Sequence, residues 1–344
     1  MRWAWRLLAL AALSVATYVV ATGERRPIED QPYPDAVTYV ALAHNLADGE
    51  GWGARIADER EETRYPPGLP ILLAPFTAFD LDRVAVAISV LLVGAVWLVA
   101  RHLGGDLSAA VAVLVLVSSE TLRTQASFVM SDIPATLATV LALGAVTTHR
   151  NRLAGVLIGV STWLRLANVA VALGLKRRGW VPFAAVILGL VVTKVAWGWG
   201  YAGDEAAWSP GHIWSVSGLQ SPQQERFANV IAYPAMLLGL EGELTVPGTA
   251  LLAGLAVWRR PERWFVLAVV AGTLAVYLPY SYQAQRFMFA PVAMIAVYAG
   301  VWISDLVPHA CGTGTDRHAA PGAQTQPVGG SDRDHTSKAP SRPT

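Results

Sequence analysis

Asp35-Ala-Val-Thr-Tyr39-Val-Ala-Leu-Ala-His44-Asn45-Leu-Ala-Asp48-Gly49-Glu-Gly51-Trp52 separates the first apolar segment of this chain from all the others. It lies in a loop, Gly23 to Pro67, that holds 10 of the chain's 25 acidic residues and closes on Tyr65-Pro66-Pro67. At about 100° per residue, Asp35, Tyr39, Leu42 and Leu46 fall on one stripe, and Gly49 is placed to end the helix. The pattern predicts a short helix lying on the outer surface of a membrane, with the rest of the acidic loop around it.

The membrane follows from composition. The chain has 344 residues, of which 53% are hydrophobic and only 15% charged, and several apolar runs approach bilayer-spanning length. That composition predicts an all-α polytopic membrane protein, a bundle of about 9–11 transmembrane or re-entrant helices. A net charge of +1, with Lys and Arg spread among short loops, argues against a nucleic-acid partner. The one cysteine, Cys311, excludes an internal disulfide framework and a cysteine-built metal site. Many of the 13 Trp residues, among them Trp3, Trp5, Trp180, Trp199, Trp258, Trp264 and Trp302, stand at segment ends, as in an interfacial aromatic belt.

Taken in order, Arg2 and Arg6 precede an apolar run to about Ala21 with no small-residue cleavage site set off from it, so a retained first helix with a cytoplasmic amino end is expected. Gly68 to Phe79 is apolar but short and is expected to return along the interface. Val84 to Ala100, Leu107 to about Leu122, and Ile133 to Val146 read as spans, with Arg101, His102, His149, Arg150 and Arg152 in the inner loops. The run Leu153 to Leu175 carries Arg165 and Asn168 at its centre and ends in Lys176-Arg177-Arg178. As one span it would place that basic triplet outside; as two half-helices meeting near Arg165 it keeps the triplet inside and Arg165 at the outer face. Val181 to Trp199 leads outward with Lys194 near its outer end, and Tyr201 to Phe227 is a second outer loop rich in Pro, Gly, Trp and Gln. Ala228 to Leu240 reads as another surface helix, Val246 to Val257 comes back to Arg259, Arg260 and Arg263, and Phe265 to Tyr280 and Phe287 to Leu306 complete the bundle. Residues 1–307 form the membrane unit. The tail 308–344, without Leu, Ile, Met or aromatic residues, is expected to be disordered and cytoplasmic.

Charged residues at the outer face are the candidates for chemistry. A carboxylate that begins a surface helix can serve as a general base or bind a metal, and Glu29 and Asp30 lie close to Asp35 in sequence. A solvated acidic loop with Asp35 as helix N-cap gives the same pattern. Asp132, in Ser131-Asp132-Ile133-Pro134, likewise suits a helix start, yet it belongs to the same outer face. Arg165, Lys194 and Arg286 map to membrane depth or the outer interface, where ionisable residues are costly, and Arg is suited to bidentate contact with phosphate; snorkelling to headgroups is their other reading. His44 and Asn45 read as helix-surface residues. Acids and cations facing an apolar groove suggest a lipid with a charged headgroup as ligand.

The first helix followed by Asp35-x-x-x-Tyr39-x-x-Leu-Ala-x-Asn45-Leu-x-x-Gly49-x-Gly51 and Tyr65-Pro66-Pro67-Gly-x-Pro70 resembles the GT-C superfamily of polytopic glycosyltransferases. The pattern is most similar to bacterial protein O-mannosyltransferases and lipid A aminoarabinose transferases. Met130-Ser131-Asp132-Ile-Pro, Gly155-x-x-x-Gly159-x-x-x-x-x-Arg165, and Arg286-Phe287 before Pro291 extend the likeness from Arg2 to roughly Asp305.

That resemblance implies a cell-envelope enzyme of the plasma membrane, mannosyltransferase-like, with its active site on the outer face. Such an enzyme moves a hexosyl or pentosyl unit from a polyprenyl-phosphate carrier to a protein, glycan or lipid acceptor, usually with inversion. Position by position, it makes Asp35 the general base or a metal-associated carboxylate and Asp132 the second acidic residue. Arg165 and Arg286 become the holders of the carrier phosphate, with Tyr39 and Tyr65 beside them; Lys194 has no counterpart in the pattern. Many relatives carry two adjacent acids where Asp35 stands between Pro34 and Ala36, so a divalent metal, Mg or Mn, is left open. Acceptor recognition is expected from loops such as Tyr201 to Phe227. A transporter or lipid flippase, or a noncatalytic relative, would also place isolated charges among apolar helices, but no inverted repeat supports the transporter reading.

Overall fold

Twenty residues from Arg2 to Ala21 form α1, with Ala9, Ala12, Ala16 and Val20 buried at three- and four-residue spacing and Trp3, Leu7, Leu10 and Tyr18 exposed. Small residues at this period let the helix lie close against its neighbour while the bulky apolar ones face outward, the arrangement of a helix in lipid. The computed structural model describes residues 2–23, 25–31, 35–56, 59–61, 65–197, 228–242, 244–278 and 284–307; the loop 201–227 and the tail 308–344 lie outside the described residues.

Helix α2 (Asp35–Ala47) buries Ala36, Tyr39, Leu42 and Ala43, and Gly49 ends it at φ 76°, a conformation glycine adopts without steric cost. A two-stranded antiparallel hairpin follows, β1 (Ala54–Ile56) and β2 (Glu59–Glu61), pairing Ala54 with Glu61. It is a small departure from the all-helical expectation, in the acidic part of the loop. Helix α3 (Gly68–Leu73) is short, as its sequence predicts, and continues as a 3-10 turn over Ala74–Phe76.

The next two expected spans are the arms of one element, α4 (Leu81–Ser118), broken at Gly105, where φ 84° and ψ −167° reverse the chain. Ser89 Oγ donates to the carbonyl of Ala126 at 2.8 Å, which brings the start of the first arm beside the segment after the second. Gly105 is therefore the tip of a hairpin. Helix α5 (Glu120–Gln125) is capped by Ser119, whose Oγ accepts from the Leu122 amide at 3.3 Å. Helix α6 (Asp132–Thr147) runs back toward the level of Gly105, and α7 (Asn151–Leu164) returns to Arg165.

The segment around Arg165 is two half-elements, not one span. Helix α7 stops at Leu164, Arg165 is extended (φ −149°, ψ 108°), and Leu166–Gly174 winds as a 3-10 helix of nine residues before α8 (Arg177–Trp197). A 3-10 helix rises about 2.0 Å per residue against about 1.5 Å for an α-helix, so nine residues carry the chain back nearly as far as the fourteen of α7 brought it. The return is recorded in backbone contact: Gly155 near the start of α7 packs on the carbonyl of Gly179 near the start of α8, with no room for a Cβ. Lys176-Arg177-Arg178 thus lies at the same end of the bundle as Asn151 and Arg152.

Helix α9 (Ala228–Leu238) was expected on the surface, but its Tyr233 is completely buried and its Met236 and Leu237 join the main core. Helices α10 (Thr249–Trp258) and α11 (Arg263–Tyr277) are short and apolar, and a 3-10 turn at Gln285–Met288 leads into α12 (Phe289–Leu306). Helix α12 is the centre of the bundle: every residue from Phe289 to Val301 is buried, and Gly300 lets the Ser108 carbonyl of α4 approach its backbone. Among the described residues, four segments are long and apolar enough to cross a membrane: Trp3–Ala21, Leu81–Ser118, Arg177–Ala196 and Gln285–Leu306. The protein is a helical membrane protein.

One end of the bundle is basic. Arg6 and Arg101 reach Asp106 beside the Gly105 tip at 3.8 and 2.7 Å, Gly104 packs on Ser304, and Arg260 pairs with Asp305 at 3.1 Å. The other end carries α2, α3 and the amino end of α6.

Candidate active site

Asp35 and Asp132 are each the first residue of a helix, where a carboxylate is favoured by the helix dipole. Neither is left to solvent. Asp35 Oδ1 accepts from the Tyr65 hydroxyl at 2.6 Å and its Oδ2 accepts from Arg286 at 2.9 Å. Asp132 is paired with Arg165. The side chains of Asp132 and Arg165 are 3% and 14% exposed, and those of Asp35 and Arg286 are 23% and 11%. Ion pairs this sequestered are costly to desolvate and costly to break one partner at a time, which distinguishes them from surface pairs.

The two pairs form one cluster. The Arg165 guanidinium lies 4.8 Å from the centre of the Phe287 ring and that of Arg286 lies 5.6 Å from it, so the two guanidinium carbons are no farther apart than the sum of those distances. On the other side, Tyr39 packs its ring 5.0 Å from Tyr65 and donates its hydroxyl to Ser131, the neighbour of Asp132, at 3.3 Å. Burial pushes the Tyr39 hydroxyl well above its usual range, so it stays protonated and donates. Arg286 also points Nη1 at the Met130 sulfur, 3.6 Å away, and its Nε is buried with no hydrogen-bond partner among the described residues.

The local sequence explains how these groups converge. Tyr65-Pro66-Pro67 stiffens the approach to Gly68, and Gly68 packs directly on the backbone of Trp163 and Leu164, with no space for a Cβ, at the end of α7 that presents Arg165. Gln31 is buried and its side chain spans from the Arg26 carbonyl (3.0 Å) to the Val129 amide (2.7 Å), tying the first loop to the segment before Asp132. Asn168 donates to Ser161 Oγ at 2.7 Å, and Ser161 also touches Thr139 of α6 at 3.0 Å, so a buried polar knot supports the break at Arg165.

Of the residues singled out in the sequence, Asp35, Asp132, Arg165, Arg286, Tyr39 and Tyr65 stand together. Lys194 is on α8, one turn beyond Leu190, which packs with Leu42 and Trp52. Tyr277 and Gln31 carry no motif that marks them; the Arg286-Phe287 pairing hinted at Phe287, and Asn168 stood beside Arg165 at the centre of its apolar run. Nor do the acids make a metal donor set: each carboxylate faces a guanidinium, and among the described residues no three His, Cys, Asp or Glu side chains converge.

The fold shared with solved GT-C structures, together with the match to a GT-C glycosyltransferase family, makes this chain a member of the GT-C superfamily of membrane glycosyltransferases. Two structures of ArnT from Cupriavidus metallidurans share its fold, one bound to undecaprenyl phosphate and one in the apo state. They have TM-scores of 0.55 and 0.58 at 14% and 15% identity, over 88% and 89% of this chain and 60% and 61% of theirs. The Archaeoglobus fulgidus oligosaccharyltransferase tethered to an acceptor peptide is also similar, with a TM-score of 0.52 at 13% identity over 87% of this chain and 49% of that one. This chain therefore spans about half to three fifths of the length of the proteins it resembles. No curated protein sequence matches it. Residues 63–304 match the profile of glycosyltransferase family 87, and the chain belongs to that family.

Proposed function

We propose that this protein is a plasma-membrane glycosyltransferase that takes a sugar from a polyprenyl-phosphate-linked donor and passes it, with inversion, to an acceptor hydroxyl on the outer face. The acceptor is a protein, glycan or lipid. Asp35 is the general base, and Arg165 and Arg286 receive the donor phosphate. The observation that carries this reading is the convergence of two carboxylates and two guanidiniums, from four distant parts of the chain, at one end of the bundle. Orientation rests on the positive-inside rule: Arg6, Arg101, Lys176 to Arg178 and Arg260 collect at the opposite end, which puts the cluster outside, with residues 308–344 as a cytoplasmic tail. The undecaprenyl phosphate bound to one of the similar ArnT structures supports a polyprenyl-phosphate donor.

In this reading the acceptor oxygen attacks the anomeric carbon while Asp35 takes its proton, and the bond from that carbon to the phosphate oxygen breaks. The negative charge that develops on the departing polyprenyl phosphate is met by Arg165 and Arg286. The Nε of Arg286, without a hydrogen-bond partner among the described residues, is a donor that an anion entering the site would satisfy. Before donor arrives, Arg286 and Tyr65 occupy both oxygens of Asp35. A phosphate that draws Arg286 to itself releases one of those oxygens for the acceptor. Asp132 holds Arg165 in place, and no step is routed through a metal.

Asp35→Asn keeps the shape of the side chain and removes its basicity. Sugar transfer in membranes should fall by about 10²–10⁴-fold at unchanged protein level. Turnover within a few-fold of the unsubstituted enzyme would remove Asp35 from the mechanism.

A further inference from the structure

Arg165 is held from three sides. One terminal nitrogen faces Asp132, Nε donates to the Tyr277 hydroxyl at 2.7 Å, and its guanidinium carbon lies 5.1 Å from the Tyr277 ring centre and 4.8 Å from that of Phe287. The two rings are stacked, 4.3 Å between centres and 21° between planes. With nearly equal distances to both centres, the guanidinium sits astride the stack, and the hydroxyl fixes its rotation. Phe287 also lies within 5.6 Å of Arg286, its neighbour in sequence. Tyr277 ends α11 and Phe287 stands in the turn before α12, so the stack joins two elements that contribute no other charged group to the cluster except Arg286.

We infer that Tyr277 and Phe287 are positioning residues: their stack locks Arg165 in one orientation, so that its remaining donors are aimed at the anion that Arg286 moves to meet. The inference rests on the phosphate role given to the two arginines above. A guanidinium whose Nε is already bonded cannot swing to present a different edge, so its remaining nitrogens are aimed before ligand arrives. That preorganisation lowers the entropy lost when a phosphate is bound. Asp132 alone cannot supply it, because one ion pair leaves the guanidinium free to rotate about the contact.

The test is a double-mutant cycle with the full chain in nanodiscs, using undecaprenyl phosphate as probe and undecaprenol as its neutral control. Tyr277→Phe removes one oxygen and keeps the stack. It should weaken undecaprenyl phosphate binding about tenfold, the effect of one hydrogen bond to a charged group, without changing undecaprenol binding. In an Arg165→Lys background, which has no Nε–H, the same substitution should have no further effect. Phe287→Leu should weaken phosphate binding and Phe287→Tyr should restore it. If Tyr277→Phe weakens binding equally in both backgrounds, Tyr277 does not act through Arg165 and the inference falls, with the donor reading intact. If the unsubstituted protein does not prefer undecaprenyl phosphate to undecaprenol, the donor reading itself falls, and this inference with it.

Discussion

The two ends of the bundle use the same residue types in opposite ways. At the Gly105 end, Arg101 with Asp106 and Arg260 with Asp305 are pairs in which at least one partner is well exposed, side chains 44% and 19% and then 27% and 54%. At the α2 end, Arg165 with Asp132 is nearly sealed, side chains 14% and 3% exposed, and Arg286 with Asp35 is part-buried at 11% and 23%. Exposed pairs have solvent as an alternative partner and contribute little. Sequestered pairs have little solvent to turn to, so removing one partner leaves the other's charge uncompensated. Charge alone therefore does not mark the site; charge removed from water does.

Breaking the buried side of this contrast should have the largest effect. Arg165→Ala leaves the Asp132 carboxylate, 3% exposed, without its counter-ion, and should destabilise the folded protein by about 3–5 kcal/mol. Thermal unfolding in detergent should show it, and adding Asp132→Asn should recover part of the loss. A smaller effect should come from pH. Burial raises the Tyr39 hydroxyl above its ordinary value of 10.0, so the folded state keeps a proton that the unfolded chain releases. Stability should be unaffected by this group below pH about 10 and then decline as pH rises, by at most about 1.4 kcal/mol per pH unit. In Tyr39→Phe that part of the alkaline loss should vanish from a pH series of unfolding midpoints. The smallest effect belongs to the exposed end: Arg260→Ala should change stability by less than about 1 kcal/mol and leave sugar transfer unaltered. A large drop in either would erase the contrast between the two ends.

How far the site was legible differs residue by residue. Asp35 and Tyr39 were readable together because they share one turn of one helix, and a four-residue spacing needs no tertiary knowledge. Arg165 was readable because an arginine amid apolar sequence is anomalous, and the basic triplet after it required the chain to turn back there. Tyr277 was not, since a tyrosine at the end of an apolar helix is equally at home in an interfacial belt. Lys194 was readable on the same ground as Arg165, as a cation amid apolar sequence near the outer end of its helix. The placement of α9 also went beyond its sequence, because the glutamate after an apolar run suggests a surface and Tyr233 finds its burial only against other helices.

By itself the sequence determined that this is a helical membrane protein, roughly where its long apolar helices run, and which end of the bundle is basic. Hydropathy, helical period and the φ freedom of Gly49 are local properties, and the bilayer supplies the rest. Tertiary structure alone decided which acid meets which arginine. Asp35 and Arg286 are 251 residues apart, and no pattern of spacing encodes a partner at that distance. Only the packing of α2, α6, α7 and the turn before α12 against one another brings the two pairs into a single site, with both guanidiniums beside Phe287.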